Sequence, residues 1–371
     1  MKKIVLLNDT ESDSNWGCKT TSKYLKYQLS RGGNNITSIP ISFSSSSKER
    51  VSGHLKTIFL LMKLWFLFIP LKKLFKYYFT NISWNSNYYK KISCCDVCVL
   101  NGEGTIHVFN RAVSKWMFYL LVAKYVFDKK YYIVNHTFNI DTVGVKYITK
   151  DAYRRADKIF VREGISKDII IDQLLVDKNK LFLVADAAFL VEKSSVLTTN
   201  LPEKKYFVVC GNVISNDEAV ANLSELVVKV RDELGLKPVF LVADIKDLTF
   251  YNALKERVTD LQVIDNEFDV AVALDFIDKA ELFITGRFHP YIFSLTVQTP
   301  TFTFSSNTHK IEGVKKMVGD TTPEINLSDI ELDFLKIKKF ITRPANQNRW
   351  FNLDSLKNNI VNSYSLITKD E

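Results

Sequence analysis

Phe283-Ile284-Thr285-Gly286-Arg287-Phe288-His289-Pro290-Tyr291 is a short apolar run that ends in Gly-Arg-x-His where a new helical segment starts. The run reads as a buried strand. In open α/β sheets, ligands bind just beyond the carboxyl ends of the strands. Arg287, His289 and the free N–H groups of the following helix would there converge on one anion. After the next apolar run, Ser305-Ser306-Asn307-Thr308-His309-Lys310 adds hydroxyls, an imidazole and an ammonium at the corresponding edge, suited to a second anionic group or to an acceptor.

The same rhythm repeats on both sides of this stretch. Tyr206 to Cys210, Val239 to Val242, Leu261 to Ile264, Leu282 to Thr285 and Thr301 to Phe304 form one series of short apolar runs separated by amphipathic segments. Ile4 to Leu7, Val97 to Leu100, Tyr131 to Val134, Ile159 to Val161 and Leu181 to Val184 form another. Such runs are buried parallel strands, so the fold class is α/β with two Rossmann-like, doubly wound units. The chain's 371 residues exceed what one core normally serves, which supports two domains. Glu192 to Lys205, rich in Ser, Thr and Asn before Pro202, is the linker candidate. It sets domains at 1–197 and 198–340. Within 341–371, Leu353, Leu356, Ile360, Val361, Tyr364 and Ile367 have helical spacing and are expected to cross back onto the first domain.

The first series also ends in polar residues. Asn8-Asp9-Thr10 follows the first strand, and Asn15-Trp16-Gly17 stands at a helix start, where Asn15 and Gly17 would serve a sugar or anion or simply cap the helix. Asn101-Gly102-Glu103-Gly104 reads as a strand-to-helix turn open to close approach by a ligand. Glu103 is there either a general base or a cap of the next helix. Arg162, directly after a buried strand, offers a planar fork to phosphate or carboxylate, or pairs with a structural carboxylate. Asp186 likewise ends a strand and would bond backbone between domains.

With 46% hydrophobic residues, 25% charged residues and few Gly or Pro, the chain is globular, not disordered. A formal charge of +9 favours anionic partners, yet no nucleic-acid-binding motif is present. Cys18, Cys94, Cys95, Cys98 and Cys210 are an odd set that suits a reducing cytoplasm, and the Cys95-x-x-Cys98 pair is read as packing. The five histidines are scattered, so no metal or other cofactor is expected. The first apolar run is too short for a signal peptide. Leu55 to Phe79, apolar and aromatic but interrupted by Pro70 and lysines, is too broken to span a membrane and reads as an inserted helical pair. It would lie on an anionic membrane surface, making the protein peripheral on the inner face, or pack on the sheet or on a second copy in a homo-oligomer.

Ile284-Thr285-Gly286-Arg287-Phe288-His289 with Thr299-Pro300 and Lys310, Val161-Arg162-Glu163 with Ser166, and Val184 to Phe189 together resemble the polysaccharide pyruvyl transferase family. The resemblance implies a GT-B-like pair of domains facing across a cleft, with the acceptor on the first and the donor on the second. It implies transfer of the enolpyruvyl group of phosphoenolpyruvate to a sugar diol of a surface polysaccharide or its lipid-linked precursor, forming a ketal and releasing phosphate. Arg162, Arg287, Phe288, His289, Ser305 and Lys310 would then hold the donor, and Asn15, Trp16, Gly17, Gly102 and Gly104 the acceptor. His289 would be the acid and Glu103 the base. The chain departs from the family where Asn8-Asp9-Thr10-Glu11 replaces an Asn-x-Gly-Asp-like turn and Gly102-Glu103-Gly104 a run of glycines. A GT-B glycosyltransferase using a nucleotide-activated sugar is the competing reading, because Arg, His and helix termini serve a diphosphate equally well.

Overall fold

The computed structural model describes residues 1–40, 47–104, 106–140, 142–193, 202, 204–212, 216–259, 261–265, 269–342 and 352–369. Its first sheet is built from β1 (Lys3–Asp9), β2 (Asn35–Pro40), β3 (Val97–Glu103), β4 (Lys130–His136), β5 (Lys158–Val161) and β6 (Leu181–Leu183), all parallel and ordered β2-β1-β3-β4-β5-β6. The intervening helices are α1 (Trp16–Ser30), α2 (Ser47–Leu61), α3 (Lys72–Tyr77), α4 (Ser86–Cys94), α5 (Arg111–Tyr125), α6 (Val143–Arg155) and α7 (Gly164–Ile169). The central strands are buried along nearly their whole length, as strands covered on both faces must be. β2 has no apolar run to announce it. As an edge strand it buries only Ile39, and Asn, Thr and Ser fill the positions between.

The second sheet contains β7 (Tyr206–Cys210), β8 (Lys237–Leu241), β9 (Gln262–Ile264), β10 (Phe283–Thr285) and β11 (Thr301–Thr303), parallel and ordered β11-β10-β7-β8-β9. Its helices are α8 (Asp217–Leu234), α9 (Leu248–Arg257), α10 (Val270–Asp278), α11 (Phe288–Val297), α12 (Lys310–Val318) and α13 (Ile330–Ile341), and α14 (Leu353–Thr368) ends the chain's described helices. Each sheet therefore has one point where the winding reverses. In the first it lies between β1 and β3, and in the second between β7 and β10. Ligands bind at such points, where two connections leave the strand ends in opposite directions.

The chain divides into one unit of Met1–Glu11, Ser22–Ala187 and Asn358–Glu371 and another of Ser12–Thr21 and Ala188–Lys357. The division falls after Ala187 and not near residue 198. The breaker-rich 194–201 lies outside the described residues, as do Trp350 and the residues around it. Ten amino-terminal residues count with the second unit because the Trp16 N–H donates to Ala243 O at 3.1 Å and the Asn15 amide to Asp244 Oδ2 at 2.7 Å. α14 buries Ile360, Tyr364 and Ile367, and the Tyr364 ring lies 6.3 Å from that of Phe160 within the first unit.

The apolar and basic insertion is larger than a helical pair. It runs from α2 through a short 3-10 turn, Leu64–Phe68, then α3 and a π-turn, Tyr78–Ile82, into α4. Its inner side is an aromatic cluster in which Phe68 meets Phe59, Phe75, Phe79 and Phe118 at centroid distances of 4.8–5.9 Å, anchoring the insertion on α5.

Candidate functional site

In the second unit, the reversal point is lined by the ends of β7 and β10. Glycines make the approach possible: a Cβ on Gly286 would lie 2.6 Å from the Phe304 ring, and one on Gly211 would lie 2.8 Å from Asp247 Oδ1. Arg287 follows as the residue that precedes α11, and its own N–H is held by Thr285 Oγ1 at 3.0 Å. Its Nε donates to Asp247 Oδ1 at 2.8 Å, which fixes the guanidinium plane. Among the described residues, Arg287 Nη2 is buried with no hydrogen-bond partner, which makes this edge of the fork the candidate contact for an anion.

Asp247 is fully buried, and its Oδ2 accepts the N–H groups of Ala243 and Asp244 at 3.1 and 3.0 Å. Burial pushes its carboxyl up from 3.8 to about 6, against the opposing pull of Arg287. Asp244 moves the other way. Burial raises it, but the Asn15 amide, the Lys246 N–H and the Arg287 charge outweigh this and hold it below its usual range. Because Asp247 binds its proton more tightly folded than unfolded, its contribution to stability is present below pH 3.8 and lost as pH rises through about 6. Urea unfolding should show wild type losing about 2 kcal/mol relative to Asp247→Asn between pH 4 and pH 7. A pH-independent difference would show that the carboxyl is not perturbed.

His289 stands one residue inside α11 with Nε2 3.3 Å from Thr21 Oγ1. Its ring lies directly against Gly17, where an added Cβ would come within 1.9 Å of Nδ1 and 2.5 Å of the histidine Cβ. Asn15 caps α1 by accepting the Cys18 N–H at 3.1 Å. Asn15, Trp16 and Gly17, expected on the acceptor side, are thus packed with His289 and Asp244 in the second unit. Lys310 is buried, donates to Asn307 Oδ1 at 2.7 Å and lies 5.9 Å from the Phe288 ring. Ser305 is exposed, and its carbonyl accepts the Asn212 amide at 2.8 Å.

In the first unit, the reversal point holds a buried polar network. Glu103 belongs to β3, not to a turn, and Asn110 caps α5. Its carboxylate accepts the Thr10 hydroxyl and, at 2.8 Å, the Asn101 amide. The backbone is left-handed at Asn8, Glu103 and Asn135, with φ of 65, 43 and 55°, at the ends of β1, β3 and β4. Non-glycine residues rarely hold this conformation, and such strain clusters at functional sites. Gly102 has a different reason: its Cβ would lie 2.5 Å from that of His136 on the neighbouring strand. Gly104 faces Arg162, with Nη2 3.9 Å from where a Cβ would stand.

Arg162 is committed inside the first unit. Its Nε donates to Thr137 Oγ1 at 2.9 Å and its Nη1 to Asp186 Oδ2 at 2.7 Å, both groups buried. Glu163 caps α7 through the Ser166 N–H at 2.9 Å. His136 is buried beside Arg162, and desolvation first, with the Arg162 charge second, lowers its pKa to about 3, so it is neutral. Cys95 and Cys98 are buried with sulfurs 3.4 Å apart.

Sequence reasoning missed Asp247, Thr21 and Asn135; Asn8 and Asn101 were noted at their strand ends but given no role. Asp244 follows the apolar run at Val239 to Val242 and so lay within reach of the strand-end rule. Asp247 is one short turn further on, within a capping box that Asp244 opens.

The family model for polysaccharide pyruvyl transferases matches residues 29–308, which is more than half of the chain and includes Glu103, Arg162, Arg287 and His289. The chain belongs to the polysaccharide pyruvyl transferase family. Membership makes it a transferase. No curated protein matches the sequence. Among solved structures, a UDP-GlcNAc 2-epimerase of Methanocaldococcus jannaschii in complex with UDP-GlcNAc and UDP is similar, with TM-score 0.60 and 16% identity over 99% of this chain and 100% of that one. A Neisseria meningitidis UDP-GlcNAc 2-epimerase bound to UDP-GlcNAc has TM-score 0.58 and 11% identity over 98% of each chain. A glycosyltransferase of Rickettsia africae has TM-score 0.54 and 12% identity over 99% and 95%. At these identities the likeness establishes the fold, a GT-B-like α/β architecture, for this pyruvyl transferase family member.

Proposed function

We propose that the enzyme transfers the enolpyruvyl group of phosphoenolpyruvate to a sugar diol of a surface polysaccharide or its lipid-linked precursor. The observation that carries the reading is Arg287, clamped through Nε by Asp247 while Nη2 is buried and, among the described residues, unpartnered. A buried guanidinium edge of this kind is costly unless an anion completes it. Phosphoenolpyruvate has two such groups, and the α11 amino terminus and Lys310 add positive potential in the same unit.

In the reaction the methylene of the donor gains a proton and the two acceptor oxygens bond to its central carbon. The carbon–oxygen bond to phosphate breaks. Two hydroxyl protons are released, one balancing the new methyl group and the other leaving with phosphate. His289 is assigned the proton delivered to the methylene or to the leaving oxygen, and Glu103 the proton taken from an acceptor hydroxyl. Arg162, held by Asp186 and Thr137, is assigned a positioning role in the first unit.

Calorimetric titration with phosphoenolpyruvate tests the donor, and a nucleotide sugar run in parallel tests the competing donor class that related folds bind. Saturable binding of phosphoenolpyruvate is expected, unchanged in Glu103→Gln, with transfer in that variant reduced at least about a hundredfold. Binding of the nucleotide sugar alone would sink the proposal.

A further inference from the structure

We infer that the outward side of the insertion between α2 and α4 is a docking face for an anionic lipid surface. α2 and the residue that follows it expose Val51, Leu55, Ile58 and Met62, spaced three to four residues apart, while Lys56 and Leu60 turn inward. A second stripe, Leu71, Leu74, Tyr78 and Ile82, runs along α3 and the π-turn with the same spacing, and Leu74 and Ile82 are 61% and 59% exposed. Trp84 follows at 66%. The inner side of the same segments is filled by the Phe68 cluster, so these apolar groups are surplus to the fold. Exposed apolar area of this extent marks an interaction surface.

Charge chooses the occupant. From Val51 to Cys95 the sequence has Lys56, Lys63, Lys72, Lys73, Lys76, Lys90 and Lys91 and no aspartate or glutamate. Packed elements supply two acids: Asp128 pairs with Lys72, and Asp151 lies 3.5 Å from Lys63. Lys73 and Lys76 are exposed among the apolar stripe. Lysines flanking aliphatic and aromatic groups suit an interface of anionic headgroups and acyl chains. A second copy fits poorly, because an isologous dimer would place this basic face against itself. Among the described residues no helix is long and apolar enough to cross a membrane, so attachment is by a surface. The face lies wholly within the first unit and is independent of the donor assignment.

The test is cosedimentation of the full chain with vesicles of pure phosphatidylcholine and of phosphatidylcholine with phosphatidylglycerol. Binding to the anionic vesicles is expected, lost at high salt and weakened on the order of thirtyfold in Lys73→Gln/Lys76→Gln. Leu74→Ser/Ile82→Ser should also release the protein while its melting temperature stays unchanged, since both side chains are exposed. Equal binding to both vesicle types overturns the anionic assignment, and absence of binding by folded wild type overturns the docking face. A dimer in sedimentation equilibrium that Leu74→Ser/Ile82→Ser dissociates overturns it in favour of a second copy.

Discussion

Arg287→Ala is expected to lower transfer on the order of a hundred- to a thousandfold and to abolish saturable phosphoenolpyruvate binding, as loss of a preorganised cation at an anion site does. It should also destabilise the protein by ~3–5 kcal/mol at pH 8, because Asp247 is left as a buried charge without its partner. The two effects separate by pH and by a second substitution. Asp247 already holds its proton up to about pH 6, and losing the Arg287 charge raises it further, so the stability loss should shrink at pH 5. Arg287→Ala/Asp247→Asn should recover most of the stability and none of the binding. Donor binding restored along with stability in the double variant would show that Arg287 acts only as scaffold.

Gly17→Ala is the second change with a large expected effect, although the residue has no chemistry of its own. The new methyl carbon would occupy the place of the His289 ring and approach even the histidine Cβ at 2.5 Å, so rotation of the ring alone cannot relieve the clash. Either α1 or α11 must shift. Overpacking of this kind costs about 1–3 kcal/mol, and displacing a catalytic group by about 1 Å costs on the order of a hundredfold in rate. A fall in kcat with donor affinity largely kept is the expected pattern, with His289 displaced in a structure of the variant. Full activity in Gly17→Ala would remove His289 from the reaction.

The site was partly legible before the fold was known. Arg287 and His289 stood out because an apolar run of strand length stops at Gly286 and a cation follows immediately, a pattern that parallel-sheet topology turns into a strand-end site. Glu103 was legible for the same reason, but its setting was misjudged. Two glycines suggested a turn, whereas β3 runs through Glu103 and Gly102 is there to admit His136 of the next strand. Arg162 shows the limit of residue type: a guanidinium after a strand looks the same in sequence whether or not a structural carboxylate pairs with it, as Asp186 does here. β2 escaped because an edge strand with one buried side chain leaves no apolar run.

What the sequence determined by itself was local: the length and position of ten apolar runs, the amphipathic segments between them, and hence an α/β chain of two parallel sheets. These depend on local residue type, because burial on both faces makes a strand a continuous apolar run and burial of one face makes a helix amphipathic. What only the tertiary structure decided was strand order and everything that follows from it. The reversal of winding between β1 and β3 and between β7 and β10 makes two particular strand ends into candidate sites, and no local pattern encodes which neighbours a strand takes. The pairing of Asp247 with Arg287 across forty residues, and of Gly17 with His289 across the length of both sheets' sequences, arises from the same long-range choice, because contacts between distant segments are set by packing and not by spacing.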